Sequence, residues 1–265
     1  MQVLTPRIDW VEFLEGISRA PGRVLMLDYD GTLAPFQVRP ERATPYPGVR
    51  EALEDLVEDG GTRVVIVSGR PAADLVPLLG LRQTPEIWGG HGWERLLPSG
   101  EYKTQEPSPA VKVSLEKARE LAAEATRSGG RLERKQASVA LHWRGLRALT
   151  AAKVQARVRA VWEPLARESE LQLLPFDGGI ELRAPGCNKQ HAVKAVLSET
   201  TADSTVAYLG DDLTDEDAFV AVKPRGLAVL VRPELRDTQA DVWLQPPREL
   251  IGFLKRWRDG SPARA

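Results

Sequence analysis

Four short stretches of this chain carry side chains that could do chemistry together. The first reads Leu27-Asp28-Tyr29-Asp30-Gly31-Thr32-Leu33 and ends an apolar run; its two carboxylates stand two residues apart, before a glycine that lets the chain turn sharply. Two like charges held side by side away from water are costly unless a cation joins them. A divalent metal with oxygen ligands answers that need, and magnesium is the usual one beside phosphate. One carboxylate could then attack phosphorus while its neighbour moves protons. The second stretch, Ser68-Gly69-Arg70, offers a hydroxyl and backbone N–H groups suited to a phosphoryl oxygen near a helix start. The third is Lys189, opening a helical run where an ammonium opposes the helix dipole, so that a task joining nucleophile and phosphate would account for it. The fourth, Gly210-Asp211-Asp212-Leu213-Thr214-Asp215-Glu216, crowds four acids into one turn, more than capping needs; metal ligation by Asp211, supported by Asp215, fits it. Each stretch also has a plainer counterpart: an acidic strand end, an N-cap, a solvated lysine, an acidic helix start.

These residues must be carried by elements, and the pattern supplies them. Val24 to Tyr29, Thr62 to Ser68, Glu86 to Trp88, Val206 to Leu209, Leu227 to Val231 and Val242 to Gln245 read as strands. Apolar runs without polar alternation suit strands buried on both faces of a parallel sheet. Helical spacing lies between them, as in Val49, Ala52, Leu53, Leu56 and Val57, stopped by Gly60-Gly61. Strand, helix, strand, repeated, predicts an α/β fold with a doubly wound parallel sheet, whose strand carboxyl ends would carry all four stretches.

The middle of the chain differs. Val111, Leu115, Ala118, Leu121, Ala122 and Ala125 predict one amphipathic helix, and Val154, Val158, Val161, Trp162 and Leu165 another. Two alternating segments, Ala137 to Trp143 and Leu171 to Arg183, predict antiparallel strands with one face buried and the other free. Residues 105–184 therefore read as an α+β module inserted into a core made of 1–104 and 185–265. On its alternating strand Ser138, His142 and Arg144 share one face, and Glu181 and Arg183 share another. Such a face suits a ligand covered with hydroxyls, or simply water.

Composition narrows the function classes. In 265 residues, 36 Lys and Arg balance 37 Asp and Glu, so no basic excess points to nucleic acid or an anionic membrane. Cys187 is the only cysteine, which excludes an internal disulfide, and with three histidines leaves too few ligands for a structural zinc site. Met1 to Arg7 leads into no apolar run, and no apolar stretch approaches the roughly 18 residues that cross a bilayer. The expectation is a cytoplasmic monomer without a signal peptide, and without residues to spare for a fused glycosyltransferase domain.

Taken together, the four stretches resemble the haloacid-dehalogenase-like (HAD) phosphatase superfamily, in which an insertion between the second and third forms a cap over the site. That resemblance implies Asp28 as nucleophile, Asp30 as general acid and then base, and Ser68 and Lys189 steadying the phosphoryl group. It implies Mg2+ on the Asp28 carboxylate, the Asp30 carbonyl and Asp211, with Asp215 in support. Further motifs narrow it: Gly90-His91-Gly92-x-Glu94, Glu133-x-Lys135-x-x-Ser138-x-x-x-His142-x-Arg144 and Glu181-Leu182-Arg183-x-Pro185 are similar to the pattern of trehalose-6-phosphate phosphatases. This closer likeness implies Glu133, Lys135, His142, Arg144 and Glu181 around a disaccharide, with Asp28, Asp30, Gly69, Arg70 and His91 also contacting substrate. Trp143 and Gln190 depart from that pattern, where tyrosine and glycine are usual. Three readings stand: a trehalose-6-phosphate phosphatase, the same chemistry on a glycosyl-phosphoglycerate or sucrose phosphate, and a non-catalytic sugar-phosphate-binding regulator.

Overall fold

The computed structural model describes residues 1–6 and 8–260; the expectations for positions 7 and 261–265 lie outside the described residues. Two compact units emerge, one built from Met1–Lys103 and the chain from Asn188 onward, the other from Thr104–Cys187. The chain runs through β1 (Gln2–Val3), α1 (Trp10–Arg19), β2 (Arg23–Leu27), α2 (Val49–Asp59), β3 (Arg63–Val67), α3 (Ala72–Leu79), β4 (Glu86–Gly89), β5 (Glu94–Leu96) and β6 (Tyr102–Thr104). The second unit follows as α4 (Pro109–Leu121), α5 (Ala123–Arg127), β7 (Arg131–Arg134), β8 (Ser138–His142), α6 (Ala148–Glu168), β9 (Gln172–Phe176) and β10 (Gly179–Arg183). The first unit then resumes with α7 (Lys189–Ser198), β11 (Thr205–Gly210), α8 (Glu216–Val222), β12 (Leu227–Val231), β13 (Val242–Leu244) and α9 (Arg248–Asp259).

In the first unit the sheet order is β1-β13-β12-β11-β2-β3-β4-β5-β6. From β13 to β4 every pairing is parallel, while β1 and β5 run antiparallel to their neighbours. Alternate side chains of β2 explain its continuous apolar run: Leu25 and Leu27 pack with α1, α2, α3 and α9, and Val24 and Met26 with α7 and α8. Both sheet faces are thus covered, as in a doubly wound fold. Each fully buried Leu or Val contributes roughly 1.5–3 kcal/mol. From β2 the chain moves through β3 and β4 to one side, then through β11, β12 and β13 to the other. The reversal falls between β2 and β11, the position where open α/β sheets leave a crevice at their carboxyl edge. The short edge strands β1, β5 and β6 go beyond the strands read from the apolar runs, being largely uncovered and so without an apolar run to mark them.

At the opposite edge, an ion cluster fixes α7. Buried Glu86, opening β4, accepts from Arg63 Nε and Arg95 Nε at 2.9 Å and from Trp88 Nε1 at 2.8 Å. The same arginines reach Glu199, the C-cap of α7, at 2.7 Å. Lys189 sits at the other end of that helix.

The second unit is a four-stranded antiparallel sheet, β7-β8-β10-β9, with α4 and α6 packed on it. Two expectations change here. The single helix over 111–125 is two, α4 and α5, meeting at Ala122. The free polar face is not free on the central strands: Ser138, Ala140, Glu181 and Arg183 are all buried, as are Val139, Leu141, Ile180 and Leu182 behind them. There Ser138 and Lys135 both donate to Glu181, a contact between strands that alternation along one strand cannot reveal.

Candidate active site

Asp28 leaves the tip of β2 at the switch point, its N–H held by the carbonyl of Leu209 at 2.8 Å. Its side chain is buried and doubly gripped: Lys189 Nζ donates to Oδ1 at 2.7 Å, and Thr32 Oγ1 to Oδ2 at 3.0 Å. Burial pushes the Asp28 carboxyl up to about 7; Lys189 pulls it down, and the neighbouring Asp215 charge pushes it up again. Lys189 is therefore no solvated lysine. It is buried at the first position of α7, whose N-cap Asn188 accepts from the N–H of His191 at 2.9 Å. Burial works against its charge, but the carboxylates of Asp215 and Asp28, both at 2.7 Å, outweigh it and hold the ammonium well above its ordinary range.

Asp215 binds in four directions. Its Oδ1 accepts from Lys189 and from the buried hydroxyl of Tyr208, and its Oδ2 from the N–H groups of Asp211 and Asp212 at 3.2 and 3.1 Å. Asp215 thus holds both the lysine and the loop that presents Asp211. Tyr208 was not singled out by sequence, because it reads as one more apolar position of β11. Asp211 is buried, and its Oδ1 makes no hydrogen bond among the described residues. Burial and the charges of Asp28 and Asp215 push its carboxyl well above the ordinary range.

An orphaned buried oxygen beside other carboxylates asks for a cation. Asp28, Asp211 and Asp215 each offer an oxygen within 4.8 Å of the others. Gly31, at φ 89°, makes room for Asp211: a Cβ there would lie 2.1 Å from its carboxylate. Hard oxygen donors, an unpartnered buried acceptor and a cleared approach fit a magnesium-sized ion.

Asp30 has a different setting. Arg70 Nε and Nη2 take both of its carboxylate oxygens at 2.6 Å, while Nη1 donates to the carbonyl of Pro40 at 3.0 Å. Each oxygen accepts one of these bonds and keeps a lone pair for a proton or a ligand. Arg70, expected on substrate, is here on the acid. Ser68 is buried after β3, its Oγ accepting the N–H of Arg70 at 3.1 Å. Gly69 lies beneath the ring of His91, which stands where a Cβ would be 2.5 Å away. His91 itself holds φ 59°, a strained backbone for a non-glycine residue, pinned by its N–H to the carbonyl of Ser68 at 2.9 Å.

The remaining predicted residues lie together in the second unit. Register pairs Ala140 with both Glu133 and Glu181, so one polar row crosses β7, β8 and β10. Glu181 Oε1 accepts from Ser138 Oγ at 2.6 Å and Lys135 Nζ at 3.2 Å, and His142 Nε2 lies 2.6 Å from Glu133 Oε2. Burial works against Glu133's charge, but His142, Lys135 and Arg131 prevail and hold its carboxyl at about 2. Arg144 is tied to the Asp177 turn between β9 and β10, with its carboxylate at 3.3 Å.

This core, with a buried aspartate at the switch point, defines a HAD-like fold. A haloacid-dehalogenase-like hydrolase from B. subtilis superposes with a TM-score of 0.60 at 13% identity, over 88% of this chain and 99% of that one. More narrowly, the sequence model of the trehalose-phosphatase family matches residues 26–244, and the chain belongs to that family. The C-terminal domain of a trehalose-6-phosphate phosphatase from C. albicans superposes with a TM-score of 0.84 at 23% identity, over 98% of this chain and 99% of that one. A trehalose-phosphate phosphatase of Mycobacterium ulcerans is 33% identical over 248 residues, 89% of this chain and 61% of that protein. The chain thus spans about three-fifths of the length of the curated relatives it matches.

Proposed function

We propose that the chain is a Mg2+-dependent phosphatase that cleaves trehalose 6-phosphate into trehalose and phosphate. The observation that carries this reading is Asp28, buried at the switch point, gripped by Lys189 and Thr32 and set beside the unpartnered oxygen of Asp211. Asp28 attacks phosphorus to form an aspartyl phosphate, and the bond from phosphorus to the sugar oxygen breaks. Asp30 gives its proton to that oxygen. It then takes a proton from the water that attacks the intermediate, which frees phosphate and restores Asp28. Ser68 and Lys189 hold phosphoryl oxygens, with Gly69, Arg70 and His91 shaping the approach. Asp28, Asp211 and the Asp30 carbonyl would hold Mg2+, with Asp215 fixing the Asp211 loop. Bound there, the ion neutralises the carboxylates and phosphoryl oxygens, so that one anion can approach another.

The polar row of the second unit supports the sugar assignment. Glu133, Lys135, His142, Arg144 and Glu181 offer acids, bases and cations at fixed spacing, suited to a disaccharide's hydroxyls. Family membership points the same way. The test is phosphate release from a panel holding trehalose 6-phosphate, sucrose 6-phosphate and glucosyl-3-phosphoglycerate, with and without Mg2+. Fastest release from trehalose 6-phosphate is expected, and none after chelation. Preference for another member would reassign the sugar, and binding without release would leave a regulator.

A further inference from the structure

The loop presenting Asp211 is held from two sides, and only one of them belongs to the motif. Its N–H groups, at Asp211 and Asp212, point to Asp215. Its carbonyls are taken chiefly by Arg236, twenty-five residues further on: Nε and Nη2 reach the Asp211 carbonyl at 3.3 and 3.2 Å, and Nη2 the Asp212 carbonyl at 2.8 Å, while Arg232 Nη1 reaches the Asp211 carbonyl at a longer 3.5 Å. Arg236 Nη1 is in turn held by Glu216 and by the Asp237 carbonyl at 2.7 Å. Glu216 also accepts from Thr238 Oγ1 at 2.9 Å and from the Gln239 N–H at 2.7 Å. Every nitrogen of the guanidinium is engaged, and the planar fork suits two adjacent carbonyls in a way an ammonium cannot.

The consequence concerns aim. Since Asp211 Oδ1 has no hydrogen bond among the described residues, partners of that oxygen do not set the carboxylate's direction. The backbone and the space beside Gly31 set it, and Arg236 holds the backbone. We propose that Arg236, braced by Glu216, is a positioning residue that fixes Asp211 for the divalent cation, without touching ion or substrate. This deepens the phosphatase reading and rests on it.

The experiment uses the whole chain with Arg236→Met, Arg236→Lys and Glu216→Gln. Two readouts are taken: half-saturating Mg2+ for hydrolysis of an aryl phosphate, and the Mg2+-induced rise in Tm without substrate. Loss of a group that orients a metal ligand typically weakens metal binding by about 10- to 100-fold. Arg236→Met should raise half-saturating Mg2+ by about that factor and shrink the Tm rise, with KM at saturating Mg2+ little changed. Arg236→Lys should recover part of the loss. Glu216→Gln should move both readouts the same way by less, and the Arg236→Met/Glu216→Gln double variant should be no worse than Arg236→Met alone. A lower Tm with unchanged half-saturation and an unchanged Mg2+-induced rise would reduce Arg236 to a loop staple and overturn the proposal. If Arg236→Met does not fold, unchanged Mg2+ affinity in Glu216→Gln overturns it equally. Failure of the phosphatase reading would appear separately, as a wild-type chain that releases no phosphate with Mg2+. The Tm comparison would still decide the role of Arg236.

Discussion

Removing the Asp28 carboxylate removes the covalent route, so Asp28→Asn should abolish phosphate release while the chain still folds; near-normal turnover would defeat the mechanism. Asp30→Asn keeps the nucleophile and loses proton transfer, a deficit of about 100- to 10,000-fold in kcat. Asp28 also links metal to pH. Without an ion its folded pKa is about 7 against an ordinary 3.8, so its contribution to stability is present below 3.8 and lost as pH climbs through 7. A bound cation cancels that loss. The Tm rise on adding Mg2+ should therefore be small near pH 5.5 and grow towards pH 8 (round values either side of that pKa); a rise independent of pH would separate Asp28 from the metal. At this scale Asp28, Asp30, Ser68 and Asp211 were legible, because each sits within a few positions of the core strand end that presents it; Lys189, expected at such an end as well, opens α7 instead, and its burial could not be read from its neighbours. Nor were Arg236 and Tyr208 legible. They act on Asp211 and Asp215 through single side chains of common type, and no local spacing marks them.

Helices and strands were legible in proportion to how regularly their burial repeats along the chain. The parallel strands β2, β3, β11 and β12 are buried on both faces, which writes unbroken apolar runs. β7, reading Arg-Leu-Glu-Arg, has no apolar face to announce it. The break between α4 and α5 lies at Ala122, without glycine or proline, inside an alanine-rich stretch that keeps helical spacing. Nor could one strand's alternation tell that its polar face would be covered, since Glu181 meets Ser138 and Lys135 only once β8 and β10 pair. The pairing of β7 with β8 carries an acid-sensitive bond of its own, between Glu133 and His142. Glu133 is ordinarily protonated near 4.5 but is held at about 2 here, so its contribution is full above 4.5 and lost as pH falls through 2. Glu133→Gln should be less stable than wild type at pH 6, with the gap closing between pH 4.5 and pH 2 in denaturant unfolding. A gap that stays constant would mean that folding does not lower the Glu133 carboxyl.

Across the whole molecule the proposed labour is divided by unit. Residues assigned to phosphate lie in the unit of the parallel sheet, and residues assigned to the sugar lie in Thr104–Cys187. A substrate without the sugar should not notice the second set. Each lost hydrogen bond that strands a buried partner costs roughly 1–3 kcal/mol. Glu181→Ala, which deprives Ser138 and Lys135 of their shared acceptor, and Arg144→Ala should lower kcat/KM for trehalose 6-phosphate by about 10- to 100-fold. Hydrolysis of a small aryl phosphate should change little. Because Glu181 is buried in its network, Glu181→Gln serves as the control: it keeps the volume and can still accept from Ser138, so its Tm should stay closer to wild type. Equal losses on both substrates, with Tm falling in step, would mean that the row supports folding. Undiminished turnover of trehalose 6-phosphate in both alanine variants would take the sugar assignment away from these strands.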